Sequence, residues 1–362
     1  MTKITVDKVE GDINYDDVMK EFGIESIEPF LSKMKELPLL YRRGVVFGQR
    51  DFKQIYEAMR DRKRFAVLTG INPSSPLHLG HLLFLNQAKF FQRCGADVFI
   101  PISNDETYVF RKKETLEEAT KNALENAIPD IIALGFDPKK TKIFISTQYR
   151  KVYELAVKLS TKTTFSTIKA LFGFTNETNP GQIFYSIVQS AHILLPQTEE
   201  FGGPKPVVVP IGIDQDPYMR LVRDIAERAG FMKPSSTYHK FFPGLQGGKM
   251  SSSDKNSCIF LSDKPEDVEK KIMRAFSGGA PSLEEHRRKG GNPDVDIACQ
   301  YLYFFFEEDD KKALKIIDNY RSGALSSGDV KQMLAEKVRT FLVEHQRKKE
   351  KVLKDVDKFL MR

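Results

Sequence analysis

The stretch that decides the fold is Pro73-Ser74-Ser75-Pro76-Leu77-His78-Leu79-Gly80-His81. Before it, Phe65-Ala66-Val67-Leu68-Thr69-Gly70 reads as a short buried strand. After it, Leu79, Leu82, Leu83 and Phe90 share one apolar face of a helix that runs to about Gln92. A strand-to-helix turn of this kind lies at the carboxyl end of a parallel sheet, where ligands bind. Gly80 has no side chain, so a flat base can approach the backbone. His78 and His81 fall side by side on the first helical turn. The helix start is expected to add free N–H groups and a positive dipole end. For a lone histidine, a buried or capping role would be the better reading. His-x-Gly-His behind Pro-Ser-Ser at a strand end points instead to a site for a phosphate that gains charge during reaction.

A second stretch, Gly247-Gly248-Lys249-Met250-Ser251-Ser252-Ser253-Asp254, is a polar loop with one cation at its centre. Glycines give it reach, Lys249 can swing onto a polyphosphate as a point charge, and the serines offer hydroxyl donors. Alone it is a solvated loop. Paired with the histidine turn, it resembles the second of the two signatures of class I aminoacyl-tRNA synthetases.

The 362 residues can hold two domains, one of them large, and 41% hydrophobic content is ample for packed cores. No apolar run approaches the ~18 residues needed to span a bilayer. The N-terminus, Met1-Thr2-Lys3-Ile4-Thr5, lacks the apolar core of a signal peptide. Cys94, Cys258 and Cys299 are scattered and make neither a metal spacing nor a disulfide framework, which fits a reducing cytoplasm. The net charge of +7 and a sequence pI near 9.0 suit a polyanion partner.

In chain order, residues 1–60 read as an N-terminal extension. Its helices are expected from Asp12-Ile13-Asn14-Tyr15-Asp16 to Gly23 and from Ile27 to Leu37. The paired arginines Arg42 and Arg43 read as a solvated face. From residue 61 to 279, strand and helix alternate. Strands are predicted at Val98–Ile102, Lys142–Ser146, Pro206–Gly212 and Cys258–Leu261. Thr115-Leu116-Glu117-Glu118 has the form of a capping box and opens a helix bent at Pro129. The fold class is therefore α/β, a Rossmann-like doubly wound parallel sheet forming a catalytic domain. Residues 280–362 are predicted helical, a C-terminal domain behind the linker Phe276–Ser282. From Val330 onward ten Lys or Arg face five Asp or Glu, and an RNA-facing surface is at least as good a reading as a solvated helix.

Across nearly the whole chain, further blocks resemble tryptophanyl-tRNA synthetases of the archaeal and eukaryotic type. They include Gly173-Phe174-Thr175, Gly212-Ile213-Asp214-Gln215-Asp216-Pro217-Tyr218, Phe276-Ser277-Gly278-Gly279 and Glu284-Glu285-His286-Arg287. The resemblance implies ATP-dependent ligation of L-tryptophan to tRNA(Trp) through an adenylate, with ATP as Mg²⁺ complex, no protein-held metal, and a homodimer. His78, His81, Lys249, Ser251 and Ser252 would be catalytic. Thr69, Pro73, Ser74, Gly80, Gly212, Asp214 and Met250 would hold ATP, and Glu106, Gln189, Gln215 and Leu68 the amino acid. The helical domain would read the anticodon. The family's two readers of the indole N–H align with Leu68 and Pro101, which offer no side-chain acceptor. A substitute is expected at Asn104, His192 or a backbone carbonyl. The alternatives are tyrosyl-tRNA synthesis, a small-molecule adenylyltransferase, and a tRNA-binding relative without charging activity.

Overall fold

The computed structural model describes residues 3–4, 9–10, 14–248, 250 and 256–362. Strands β1 (Lys3–Ile4) and β2 (Val9–Glu10) pair antiparallel at the N-terminus. The other seven strands form one sheet: β3 (Glu25–Ser26), β4 (Val46–Arg50), β5 (Ala66–Leu68), β6 (Asp97–Ile102), β7 (Thr141–Ile145), β8 (Val207–Gly212) and β9 (Ser235–His239). Their order is β3-β4-β9-β8-β5-β6-β7. From β9 to β7 every neighbouring pair is parallel, while β4 joins β9 and β3 joins β4 antiparallel. Renumbered among themselves, the five parallel strands run 3-2-1-4-5, and the order reverses between β5 and β8. That reversal opens a crevice at their carboxyl ends.

Both faces of the sheet are covered, which is why β5 and β8 are buried at every position. Alternate residues serve opposite layers. Val67, Val98, Ile100, Ile143 and Val208 face one apolar cluster. Leu68, Phe99, Phe144, Val207 and Val209 face the other. The second layer is filled by helices Arg150–Ser160, Pro180–Leu194 and Asp216–Arg228. The first holds helix Leu82–Arg93, the N-terminal segment around Leu40 and Phe52, and the 26-residue helix Ser327–Val352.

Most predicted elements stand where the pattern placed them, and the exceptions have physical causes. Asn14 caps helix Tyr15–Phe22, and Gly23 closes it in the left-handed conformation at φ 62°. Thr115 caps Leu116–Asn122; the following turn, Ala123–Ala127, widens to a π-helix just ahead of Pro129. The helix expected from Ile27 to Leu37 is only Glu28–Leu31. Cys258–Leu261 is not a strand; Phe260 makes one isolated bridge, to His78. Strand β9 carries no apolar run to betray it. Its Ser235, Ser236 and Thr237 are wholly buried. Two of these hydroxyls have side-chain donor bonds in place, Ser235 to the Asp51 carbonyl at 2.7 Å and Thr237 to Gln87 at 2.9 Å. Arg42 is exposed, as read from the sequence, but Arg43 is buried. Both bind Asp310, and the Arg43 guanidinium lies 4.9 Å from the Tyr303 ring centroid.

Candidate active site

The turn after β5 is held by its own polar groups. Asn72 Oδ1 accepts from the Ser74 N–H at 3.1 Å and from the Thr107 hydroxyl at 2.6 Å. The Pro73 carbonyl accepts from Asn122. The chain then extends through Leu77-His78-Leu79. Leu77 and Leu79 are buried, with the Leu79 N–H on Ile259 O at 3.0 Å and the Leu261 N–H on Leu77 O at 2.8 Å. Extended chain alternates its side chains, so burying both leucines turns His78 the other way, to the cavity that it lines.

The two imidazoles lock one another. His78 Nδ1 accepts from the Gly80 N–H at 3.1 Å, and His81 Nδ1 accepts from the His78 N–H at 3.0 Å. Ring centroids lie 4.0 Å apart. A Cβ on Gly80 would stand 2.9 Å from the His78 ring, so glycine is required for this fold-over. The sequence expectation of free N–H groups at the helix start is thereby corrected, since imidazoles occupy those of His78 and Gly80. A nitrogen that accepts carries no proton, so with Nδ1 of each ring accepting, Nε2 is the atom left to carry one. Burial pushes His81 down to about 4, against the opposing pull of its contact with the His78 backbone and the charge of Asp130. His81 is thus a neutral donor near pH 7, not a cation.

A second group of side chains meets these from the far side of a cavity of about 310 Å³, within the range of small-molecule sites. Glu106 stands on helix Asn104–Val109, which follows β6 directly. The Tyr185 hydroxyl lies 3.1 Å from Glu106 Oε2 and 2.8 Å from Gln189 Oε1, and its single proton is shared between them. Burial, with Glu106 and Asp105 nearby, raises the Tyr185 pKa well above the ordinary phenol. Gln189, its Oε1 engaged by Tyr185, lines the cavity with its NH₂ still available as a donor. Gln215 is the converse: its amide donates to Asp214 Oδ2 at 3.2 Å, which leaves Oε1 as an acceptor. Gly212 makes room for this pair, because a Cβ there would stand 2.6 Å from Asp214 Oδ1. Leu68, Val209, Ile211 and Phe84 give the same cavity an apolar wall.

The structure therefore brings together His78, His81, Leu68, Thr69, Gly80, Glu106, Gln189, Gly212, Asp214, Gln215 and Met250 around one space. Pro73 and Ser74 do not line it; they shape the turn behind it, where their backbone is tied to Asn122 and Asn72. Lys249, Ser251 and Ser252 lie outside the described residues. Asn104 and His192 do not serve as the substitute acceptor. Asn104 spends its amide on Thr120 and Thr147, and wholly buried His192 meets Ser146 at 2.9 Å. Neither lines the cavity. Tyr185 and His239 carried no mark in the sequence, save for one signal, the place of Tyr185 one helical turn before Gln189.

A histidine turn and a set of carboxylate and amide groups, facing each other across the strand-order reversal, define a site that can hold a nucleotide at one end and a zwitterion at the other. A model of the family described as "tRNA synthetases class I (W and Y)" matches residues 59–343, and the chain belongs to that family. Within it, the similarities lie with the tryptophanyl-tRNA synthetases. The tryptophan–tRNA ligase of Methanocaldococcus jannaschii is 43% identical over 343 residues, 93% of this chain and 92% of that protein. The tryptophan–tRNA ligase of Sulfurisphaera tokodaii is 42% identical, covering 98% of this chain and 94% of its own. The crystal structure of tryptophanyl-tRNA synthetase from Aeropyrum pernix superposes with a TM-score of 0.90 at 40% identity, covering 96% of both chains.

Proposed function

We propose that this chain ligates L-tryptophan to tRNA(Trp) through a tryptophanyl-adenylate. The observation that carries the reading is one cavity that holds the His78–His81 turn opposite Glu106, Gln189 and Gln215. Glu106 suits an ammonium as anion, with Gln215 Oε1 as a further acceptor. The NH₂ of Gln189 suits a carboxylate. These groups set the amino-acid carboxylate against the α-phosphate, and holding the two reactants in line supplies much of the acceleration. His78 and His81 donate from Nε2 to phosphate oxygens as charge builds on them; Lys249 adds a point charge from its loop. Thr69, Gly80, Gly212, Asp214 and Met250 would border the nucleotide. Leu68, Val209 and Ile211 would take the indole by shape.

Among the described residues no group of three or more His, Cys, Asp or Glu stands together as a metal cage. Mg²⁺ would enter this reading as the partner of the ATP phosphates. In the second step the aminoacyl group passes to the terminal adenosine of the tRNA. Residues 280–362, with their excess of Lys and Arg after Val330, would read the anticodon as a helical domain beside the 61–279 catalytic domain and the 1–60 extension. A homodimer in the cytoplasm completes the reading. No helix among the described residues is long and apolar enough to cross a membrane. The test is transfer of labelled tryptophan to tRNA(Trp) by the purified protein. Charging with tryptophan and not with tyrosine is expected; charging with tyrosine instead would overturn the assignment.

A further inference from the structure

The helix Asn104–Val109 borders two hollows. Its Glu106 faces the catalytic cavity, whereas Tyr108 and Val109 line a second, open concavity of about 850 Å³. A helix with its side chains is about 10 Å across, so the two hollows are neighbours. Arg111, Lys112 and Lys113 line the second hollow, against Asn179 and Gly181 at the start of helix Pro180–Leu194. Lys112 lies 3.9 Å from Glu106, and Lys113 lies 2.8 Å from Glu118. Arg111 is exposed and makes no ion pair among the described residues. Tyr108 keeps 45% of its surface exposed.

This loop is built rather than slack. Arg111 sits at φ +56°, a left-handed conformation that a long side chain rarely adopts. The turn that imposes it is fixed by the Arg111 N–H on Tyr108 O and the Lys112 N–H on Thr107 O, both at 2.9 Å. The Val109 carbonyl accepts from Asn179 at 3.1 Å and from Gln182 at 3.2 Å, which straps the loop to the helix. A Cβ on Gly181 would come within 2.8 Å of the Val109 side chain, so glycine permits the strap. Backbone strain of this kind clusters at functional sites. What it positions here is an uncompensated guanidinium next to an exposed aromatic face, the pair of groups with which proteins hold single-stranded nucleic acid.

We propose that this concavity receives the single-stranded 3′ end of the tRNA, with Tyr108 stacking on a base and Arg111 meeting the backbone phosphates just before the terminal adenosine enters the catalytic cavity. The proposal rests on the tRNA-charging reading and deepens it. Stacking is sequence-tolerant, so the site positions the strand and carries no choice of tRNA.

Tyr108→Ala and Arg111→Ala are tested for amino-acid-dependent ATP–pyrophosphate exchange, for charging, and for binding to intact tRNA and to tRNA lacking its single-stranded 3′ end. Exchange is expected at the wild-type rate, which also certifies the fold. The kcat/KM for tRNA should fall roughly tenfold in each variant, the scale of one lost stack or contact. Tyr108→Phe keeps the stacking face and should charge normally. Binding of the shortened tRNA should be the same in wild type and variants. For Arg111→Ala the slope of log affinity against log salt should lessen by about 0.7 for one single-strand phosphate contact. Unimpaired charging by both alanine variants, a defect in Tyr108→Phe, or equal weakening toward the shortened tRNA would overturn the proposal. Absence of exchange in the wild type would instead sink the reading on which it rests.

Discussion

The cavity at the ends of β5 and β8 and the seam beneath helix Ser327–Val352 both bury charge, and they treat it in opposite ways. In the seam each charge is answered within the protein. Asp130, wholly buried, meets His345 and Lys349, each at 3.0 Å. Lys331, 8% exposed, donates to the carbonyls of Met273 at 3.1 Å and Ala275 at 2.7 Å. In the cavity, Glu106 is oriented by a hydroxyl and stands 3.9 Å from Lys112, two glutamines are oriented by neighbours, and His81 is held neutral. Glu106, Gln189, Gln215 and His81 all line one open cavity. Burial with internal compensation serves stability; burial with capacity left over serves a ligand.

The contrast breaks first at the seam. Asp130→Ala leaves His345 and Lys349 without their shared anion, and removal of one partner from a buried pair costs about 3–5 kcal/mol. Chemical denaturation should show that loss. The C-terminal helix shares one apolar cluster with the sheet through Val330, Leu334, Val338 and Leu342, and the Leu360 segment bridges to Ile143. Removal of residues 280–362 should therefore yield no cooperatively folded protein, measured by calorimetry; a sharp unfolding transition in the truncated chain would contradict this.

At the cavity the effects are on rate, not on stability. His78→Ala or His81→Ala should slow adenylate formation by roughly 10²–10³-fold, the cost of one transition-state donor. Amino-acid binding should change little, as pre-steady-state kinetics can report. Tyr185→Phe removes the proton that orients Glu106 and Gln189. A hydrogen bond to a charged group contributes about 1.5–3 kcal/mol, so the KM for tryptophan should rise more than kcat falls.

A further effect is expected in acid. Burial lowers His81 to about 4 and His192 to about 3 from 6.5 in the unfolded chain. The folded protein thus favours the neutral rings, and the unfolded chain binds protons that the folded one does not. Their stabilising contribution is full above pH 6.5 and lost as pH falls below it, by about 1.4 kcal/mol per histidine for each unit. The unfolding free energy from chemical denaturation should decline from pH 7 to pH 5 by about the same rule, and less steeply in His192→Gln.

How much of this was legible in the sequence follows from which physics dominates where. Strands β5, β6 and β8 are apolar runs because both faces are covered, and the histidine turn announces itself by residue type and place. Strand β9 was unreadable because its Ser-Ser-Thr core is made acceptable by hydrogen bonds from distant segments, such as Asp51 and Gln87. Glu106, Gln189 and Gln215 were placed from resemblance. Tyr185, which orients two of them, stood unmarked in a helix of mixed apolar and polar residues. Asn104 and His192 were plausible acceptors by chemistry alone, and only their places outside the cavity lining set them aside. Of the two arginines read as surface, Arg42 is exposed while Arg43 is buried, and both clasp Asp310.

The central claim is that one cavity joins a histidine turn to a tryptophan-sized pocket with a zwitterion anchor. Amino-acid-dependent ATP–pyrophosphate exchange, run across the proteinogenic amino acids, tests it most directly. Exchange with tryptophan far ahead of tyrosine and phenylalanine, abolished together with tryptophan binding in Glu106→Ala, is the expected result. Exchange driven by tyrosine, or undiminished in Glu106→Ala, would contradict the account.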